Sequence, residues 1–167
     1  MSIEIIDFFV DEDTSNYINS MLTSNIFPWV FCENIVSSDD SKRSQFIHMF
    51  YNDGEPRSPF YKHLLDTQVM QKLSMSAIIK IKANIQIATE NIETNTLHID
   101  HSFPNALTAI YYVNDNNGYT FFDTGEVIES KKGRIVIFPS NYKHSGTTCT
   151  DKKYRSVINF NYYPQSL

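Results

Sequence analysis

The stretch Ala77-Ile78-Ile79-Lys80-Ile81-Lys82-Ala83-Asn84-Ile85-Gln86-Ile87-Ala88-Thr89 alternates apolar and polar residues. Side chains of an extended strand point to opposite faces in turn, so this period reads as a half-buried β-strand. Ile79, Ile81, Ala83, Ile85 and Ile87 form one face. Lys80, Lys82, Asn84, Gln86 and Ala88 form the other. Downstream, further strands are predicted over 94–100, 107–114, 119–123, 134–138 and 154–163. The turns Asp115-Asn116-Asn117-Gly118 and Thr124-Gly125 and the stop at Pro139 separate several of them. Upstream, Ile3 to Val10 reads as a strand, and Asp11-Glu12-Asp13-Thr14 offers helix N-caps. Tyr17, Ile18, Met21 and Leu22 then recur at helical spacing. Trp29 to Val36 and Phe46 to Tyr51 read as strands, with a turn at Asn52-Asp53-Gly54. Pro59 opens a second amphipathic helix through Phe60, Leu64, Leu65, Val69 and Leu73. Two helices followed by many short strands predict helices packed on a β-sandwich or jelly roll.

At 167 residues the chain fits one domain with a substantial core, supplied by 41% hydrophobic residues. The expected division is 1–75, N-terminal strands and helices, and 76–163, the β core. No apolar run reaches membrane-span length, and Met1-Ser2-Ile3-Glu4 lacks the basic opening of a signal peptide. The expectation is a cytoplasmic protein with no membrane partner. The net charge of −5 and the scattered basic residues argue against a phosphate-backbone binder. Cys32 and Cys149 are too few and too far apart to frame a disulfide or thiolate metal site.

Chemistry concentrates in His98-Ile99-Asp100, His144 and Arg155. Residues two apart on a strand share a face, so His98 and Asp100 can converge on one ion while Ile99 turns into the opposite layer. His144 from a distant strand completes two imidazoles and one carboxylate, a face that leaves coordination positions open and suits non-haem Fe(II). Arg155 adds a fixed charge whose planar fork grips a carboxylate in two places. Fe(II), Asp100, a dicarboxylate and Arg155 together sum to neutrality, which a buried site requires.

The order of these residues and their flanking blocks resembles the Fe(II)/2-oxoglutarate-dependent dioxygenases, most closely the prolyl 4-hydroxylase-like branch. The blocks are Ile81 to Asn84, His98 to Asp100, Ala109 to Asn114, Asn117 to Phe122, Gly133 to Pro139, His144 to Gly146 and Tyr154 to Phe160. The whole also resembles short single-domain versions encoded by phages, which would place the protein in a host cytoplasm. The resemblance implies a double-stranded β-helix with helices buttressing the major sheet. It implies His98, Asp100 and His144 as iron ligands and Arg155 as partner of the distal carboxylate of 2-oxoglutarate. Tyr112 matches a phenol hydrogen-bonded to that carboxylate, and Thr120 an apolar wall of the cosubstrate pocket. The cofactors implied are Fe(II), 2-oxoglutarate and O2, with ascorbate as an aid to full activity. One departure is Ala88, near a position where some relatives carry a tyrosine. Asn84 and Gln86 share its face and offer polar contacts instead, and Asn159 and Asn161 share the Arg155 face.

The expected reaction is hydroxylation of a peptide or protein substrate, at proline or another amino-acid side chain, with release of succinate and CO2. Two rivals are a nucleic-acid or nucleobase oxygenase on the same scaffold and a non-catalytic β-sandwich binding module. His101 is expected outside the ligand set, by alternation. His48 and His63 are expected at structural or surface positions. Tyr51 and Arg57 are weaker candidates for the substrate entrance, and Asp39-Asp40 is expected in a solvated loop. Nothing in the sequence fixes the oligomeric state.

Overall fold

The computed structural model describes residues 2–35 and 43–165. Val36 and Asp39-Asp40 lie outside the described residues. The elements in chain order are β1 (Glu4–Ile6), α1 (Glu12–Leu22), β2 (Val30–Cys32), β3 (Gln45–Asn52), β4 (Glu55–Pro56), α2 (Phe60–Leu65), α3 (Gln68–Lys72) and β5 (Met75–Ile87). They continue with β6 (Leu107–Tyr112), β7 (Tyr119–Phe122), β8 (Val127–Glu129), β9 (Ile135–Pro139), β10 (His144–Gly146) and β11 (Tyr154–Pro164). The major sheet runs β1-β9-β6-β11-β5-β3-β2, with β4 hairpinned onto β3. A smaller sheet runs β10-β7-β8. All pairings are antiparallel, so the protein is mainly β, with a jelly-roll arrangement of a large and a small sheet.

Period-two alternation divides the interior into two cores. Ile81 and Ala83 of β5, Ala109 and Tyr111 of β6, and Ile158, Phe160 and Tyr162 of β11 face the helices. There they pack with Ile18, Leu22, Leu64 and Val69. The opposite face, through Ile110, Tyr112, Val136 and Val157, meets Phe122 and Ile128 of the small sheet. The same face carries Lys82, Asn84, Gln86, Arg155 and Asn159 into an inter-sheet cleft.

Helix α1 starts where the sequence marks it, because the Asp11 carboxylate accepts the Thr14 N–H at 2.8 Å. The second expected helix divides in two. The Thr67 hydroxyl donates to the Leu64 carbonyl at 2.7 Å, and Thr67 is extended, so α3 starts afresh. The strand expected over 3–10 is cut to three residues by a turn at Asp7-Phe8, where Phe8 has φ 53° and is exposed. The strand expected over 94–100 is not continuous. Only Thr94 and His98 form bridges, to Thr147 and His144. Its two large apolar residues, Leu97 and Ile99, are exposed, so no core face holds a full ladder, and Ile99 points to solvent instead of an inner layer. Two short strands, β8 and β10, lack a sequence signal long enough to read.

His48 of β3 packs among Phe27, Phe50 and Phe60. Its Nδ1–H donates to the Pro28 carbonyl at 2.9 Å, and its Nε2 is buried without a partner. Burial pushes its pKa below the ordinary imidazole value, despite that hydrogen bond. The unfolded chain therefore takes up the proton first, near pH ~6.5, and stability falls as pH drops below that value. Urea unfolding in chelator, above and below this pH, is expected to show a shallower acid loss in His48→Phe than in the parent. Identical losses would remove His48 as a cause.

Candidate active site

The bridge between His98 and His144 brings two imidazoles from separate segments side by side. His98 N–H donates to the His144 carbonyl at 3.0 Å, and His144 N–H returns the bond at 2.9 Å. The chain then bends, because the N–H groups of Asp100 and His101 both donate to the Ser140 carbonyl. That bend, and not a regular strand, turns the Asp100 carboxylate toward the imidazoles. One ligand atom each of His98, Asp100 and His144 lies within 4.8 Å of the others. His98 Nε2 stands 3.7 Å from Asp100 Oδ1.

The surroundings leave the right atoms free. His98 Nδ1 lies 3.2 Å from the Thr96 carbonyl, and His144 Nδ1 lies 3.0 Å from the Tyr142 carbonyl. A carbonyl only accepts, so each Nδ1 carries the proton and each Nε2 presents a lone pair to the cleft. Burial pushes the His144 pKa down, which favours the neutral ring a metal needs. Asp100 Oδ2 accepts from Thr108 Oγ1 at 2.9 Å and from Asn161 Nδ2 at 2.8 Å, leaving Oδ1 available. Burial opposes ionisation of Asp100. The His144 ring when protonated, the Asn161 hydrogen bond, the Lys80 ammonium and the His98 ring when protonated outweigh it, and the pKa falls below the usual carboxylate range. These three donors could hold a divalent transition metal ion.

Arg155 lies deeper in the same cleft and is only 5% exposed. Its Nε donates to Ser130 Oγ at 2.9 Å and one Nη to Thr120 Oγ1 at 3.0 Å. Among the described residues no carboxylate pairs with it. Two glycines make its channel. A Cβ at Gly146 would stand 3.0 Å from a guanidinium nitrogen, and one at Gly118 2.7 Å from Arg155 Cδ. Burial pushes the guanidinium pKa down, yet an arginine stays charged. A buried cation without a counter-ion is costly, and an anion entering the pocket would relieve that cost.

Thr120 and Tyr112 differ from the sequence expectation. Thr120 was expected as an apolar wall, but its hydroxyl is a hub that accepts from Arg155 and, at 2.8 Å, from the Tyr112 phenol. Its own proton is free to point into the cleft. Tyr112 is fully buried one layer behind Thr120 and does not line the cleft. Burial keeps its phenol protonated. The cleft opens partly to solvent. Asn84, Gln86 and Asn159 line it, and Asn84 Oδ1, Gln86 Nε2 and Asn159 Oδ1 are buried without partners.

His101 stacks on Phe103 at 5.1 Å, outside the ligand set. Tyr51 and Arg57 are not brought to the cleft. Tyr51 packs on Tyr61 by the helix-facing core, and Arg57 pairs with Asp53 and Glu55 on the β3–β4 hairpin. Cys32 and Cys149 are free thiols. Sequence reasoning missed Thr108 and Ser130, which hold Asp100 and Arg155. Thr108 shares the period-two face of Ile110 and Tyr112, a usable signal. Ser130 sits in a connection with no pattern.

No family model and no curated protein sequence matches the chain. Solved structures do. A prolyl-4-hydroxylase from Pseudomonas putida matches with TM-score 0.59 and 12% identity over 98% of this chain and 93% of that one. A prolyl hydroxylase from Trichoplax adhaerens, in complex with a peptide fragment of the hypoxia-inducible-factor oxygen degradation domain, matches with TM-score 0.61 and 13% identity over 96% and 83%. The non-haem α-ketoglutarate-dependent carbocyclase SnoK from nogalamycin biosynthesis matches with TM-score 0.67 and 9% identity over 97% and 79%. The fold is the jelly roll of 2-oxoglutarate oxygenases. No helix among the described residues is long and apolar enough to cross a membrane.

Proposed function

We propose that the chain is an Fe(II)- and 2-oxoglutarate-dependent dioxygenase that hydroxylates a peptidyl proline or another amino-acid side chain, releasing succinate and CO2. The observation that carries this reading is the pairing, in one cleft, of a two-imidazole, one-carboxylate face with a buried arginine lacking an anionic partner. His98 Nε2, Asp100 Oδ1 and His144 Nε2 would hold the metal. When bound, the iron, with 2-oxoglutarate and O2, supplies the oxidising chemistry.

The chain's own residues supply placement and charge. Thr108 and Asn161 lock the Asp100 carboxylate so that one oxygen faces the ion. Arg155 neutralises the distal carboxylate of the dicarboxylate. Thr120, with its acceptor sites taken by Tyr112 and Arg155, donates to the same group. Gln86 stands opposite Arg155 in the sheet register, so its unpartnered Nε2 is positioned as a further donor. Asn84 and Asn159 orient polar atoms along the route to the metal.

An amino-acid side chain is favoured because the order of the sequence blocks resembles that of prolyl-hydroxylase-like enzymes. The likeness to two prolyl hydroxylases, one holding a peptide, is in line with that. SnoK shows that the fold also serves other chemistry. The acidic net charge of −5 gives no general attraction for nucleic acid. The test incubates iron-loaded protein, 2-oxoglutarate and ascorbate with proline-rich peptides, free proline and single-stranded oligonucleotides. A peptide or amino acid gaining one oxygen, with matched succinate, is expected. Oxidation confined to oligonucleotide would favour a nucleobase oxygenase, and no succinate under any condition a binding module.

A further inference from the structure

The cleft contains one cation that the metal and cosubstrate do not use. Lys82 lies on the inner face of β5 and lines the cleft together with His98, His144, Asn159 and Asn95. It makes no hydrogen bond or ion pair among the described residues. The strand register gives its place. Across β5 and β11 the facing pairs are Gln86 with Arg155, Asn84 with Val157, Lys82 with Asn159, and Lys80 with Asn161. Asn161 is the residue that holds Asp100. Arg155 thus marks one end of the cleft, and Lys82 stands toward the metal-ligand end. Four residue steps along β5 separate their rows, about 13 Å at ~3.3 Å each.

Charge counting then becomes specific. Fe(II), Asp100, a bound dicarboxylate and Arg155 sum to zero. Lys82 leaves one positive charge in a confined space, and Lys80, one row further along the same face, adds to the potential. Burial and the Lys80 charge push the Lys82 ammonium pKa down, as for a cation held without a counter-ion, although Asp100 and Cys32 act the other way. Leaving such a charge uncompensated in the closed complex is costly, so the arriving substrate has reason to bring the compensating one. A single ammonium matches a single negative charge. A phosphate, carrying up to two charges and three acceptor oxygens, suits an arginine fork better, and among the described residues Arg155 is the only arginine lining the cleft.

We propose that Lys82 is a specificity-determining residue that binds a carboxylate of the substrate, so that this enzyme acts on an amino acid or peptide carrying a carboxylate close to the carbon to be hydroxylated. Such a group is the α-carboxylate of a free or C-terminal residue, or the side chain of a neighbouring acidic one. The inference rests on the oxygenase reading above, but it concerns recognition and is testable by binding alone.

The experiment is calorimetric titration of Mn(II)-loaded protein saturated with 2-oxoglutarate. The probes are N-acetylproline, its neutral partner N-acetylprolinamide, acetate and inorganic phosphate. The proteins are the parent, Lys82→Met and Lys82→Arg. The parent is expected to bind the carboxylates in preference to the amide. Lys82→Met should lose that preference, by about tenfold in affinity, as when a charged hydrogen-bond partner is removed, and Lys82→Arg should retain most of it. Affinity for 2-oxoglutarate itself should change less than about threefold in Lys82→Met while collapsing in Arg155→Met. Three results would overturn the proposal. One is equal binding, or no binding at millimolar concentration, of carboxylate and amide by the parent. Another is a preference for phosphate. The third is a loss of 2-oxoglutarate affinity in Lys82→Met as large as in Arg155→Met, which would assign Lys82 to the cosubstrate. If the carboxylate preference holds but no peptide is oxidised, the anion subsite stands and the hydroxylase reading fails separately.

Discussion

Asp100→Ala and His98→Ala are expected to lose Mn(II) and Fe(II) binding, by far more than the roughly 10–100-fold that follows when only an outer partner of a ligand is removed. Either change takes away one of three donors, and the remaining two offer no closed face. Thr108→Val serves as the internal scale. It keeps all three ligands but removes one of two hydrogen bonds that aim the Asp100 carboxylate, so its loss should fall within that smaller range. Calorimetry, or electron paramagnetic resonance of Mn(II), reads the affinity, and circular dichroism confirms that each variant folds. Unchanged affinity in both His98→Ala and Asp100→Ala would end the metal assignment. The binding should also weaken in acid, because every ligand must be free of its proton to coordinate.

The sequence carried the fold wherever period-two alternation was long and anchored on a core. On β5 the polar set Lys82, Asn84 and Gln86 does line the cleft, and Ile81 and Ala83 do face the helices. Alternation fails only at the ends of that strand. Ile87 is exposed where the sheet runs out, and a register shift between Asn161 and Tyr162 puts Ile78 against the core in place of the expected Ile79. The segment 94–100 shows a different limit. Its spacing brings His98 and Asp100 together, but through one bridge and a bend at the Ser140 carbonyl. Two routes to the same convergence cannot be told apart from spacing. Thr120 shows a third limit. A threonine presents a methyl and a hydroxyl, and only the approach of Tyr112 and Arg155 decides which one matters. Such contacts join different strands, and one sequence holds no record of them.

Arg155→Met is expected to lower 2-oxoglutarate affinity about thirtyfold or more, because truncating one partner of a buried charge pair costs roughly 2–5 kcal/mol. Methionine is chosen over alanine to fill the channel between Gly118 and Gly146 and avoid a cavity. The consequence for stability separates an anion-binding role from a structural one. If Arg155 served mainly to hold the fold through Ser130 and Thr120, the ligand-free variant would melt lower than the parent. If it is a cation kept buried for a ligand, replacing it with an apolar side chain of similar volume is close to neutral or stabilising, as for other buried charges. The ligand-free Arg155→Met protein should then melt at or above the parent temperature. With Mn(II) already saturating, 2-oxoglutarate at a concentration that fills only the parent site should raise the parent melting temperature further, since a ligand that binds only the folded state stabilises it by mass action, and should leave the variant at its Mn(II)-only value. Metal affinity should stay near the parent value, because no metal-ligand contact has changed. Parent-like 2-oxoglutarate affinity in this variant would mean that the dicarboxylate sits elsewhere or is not used. A melting temperature well below the parent, with the affinity retained, would return Arg155 to a purely structural role.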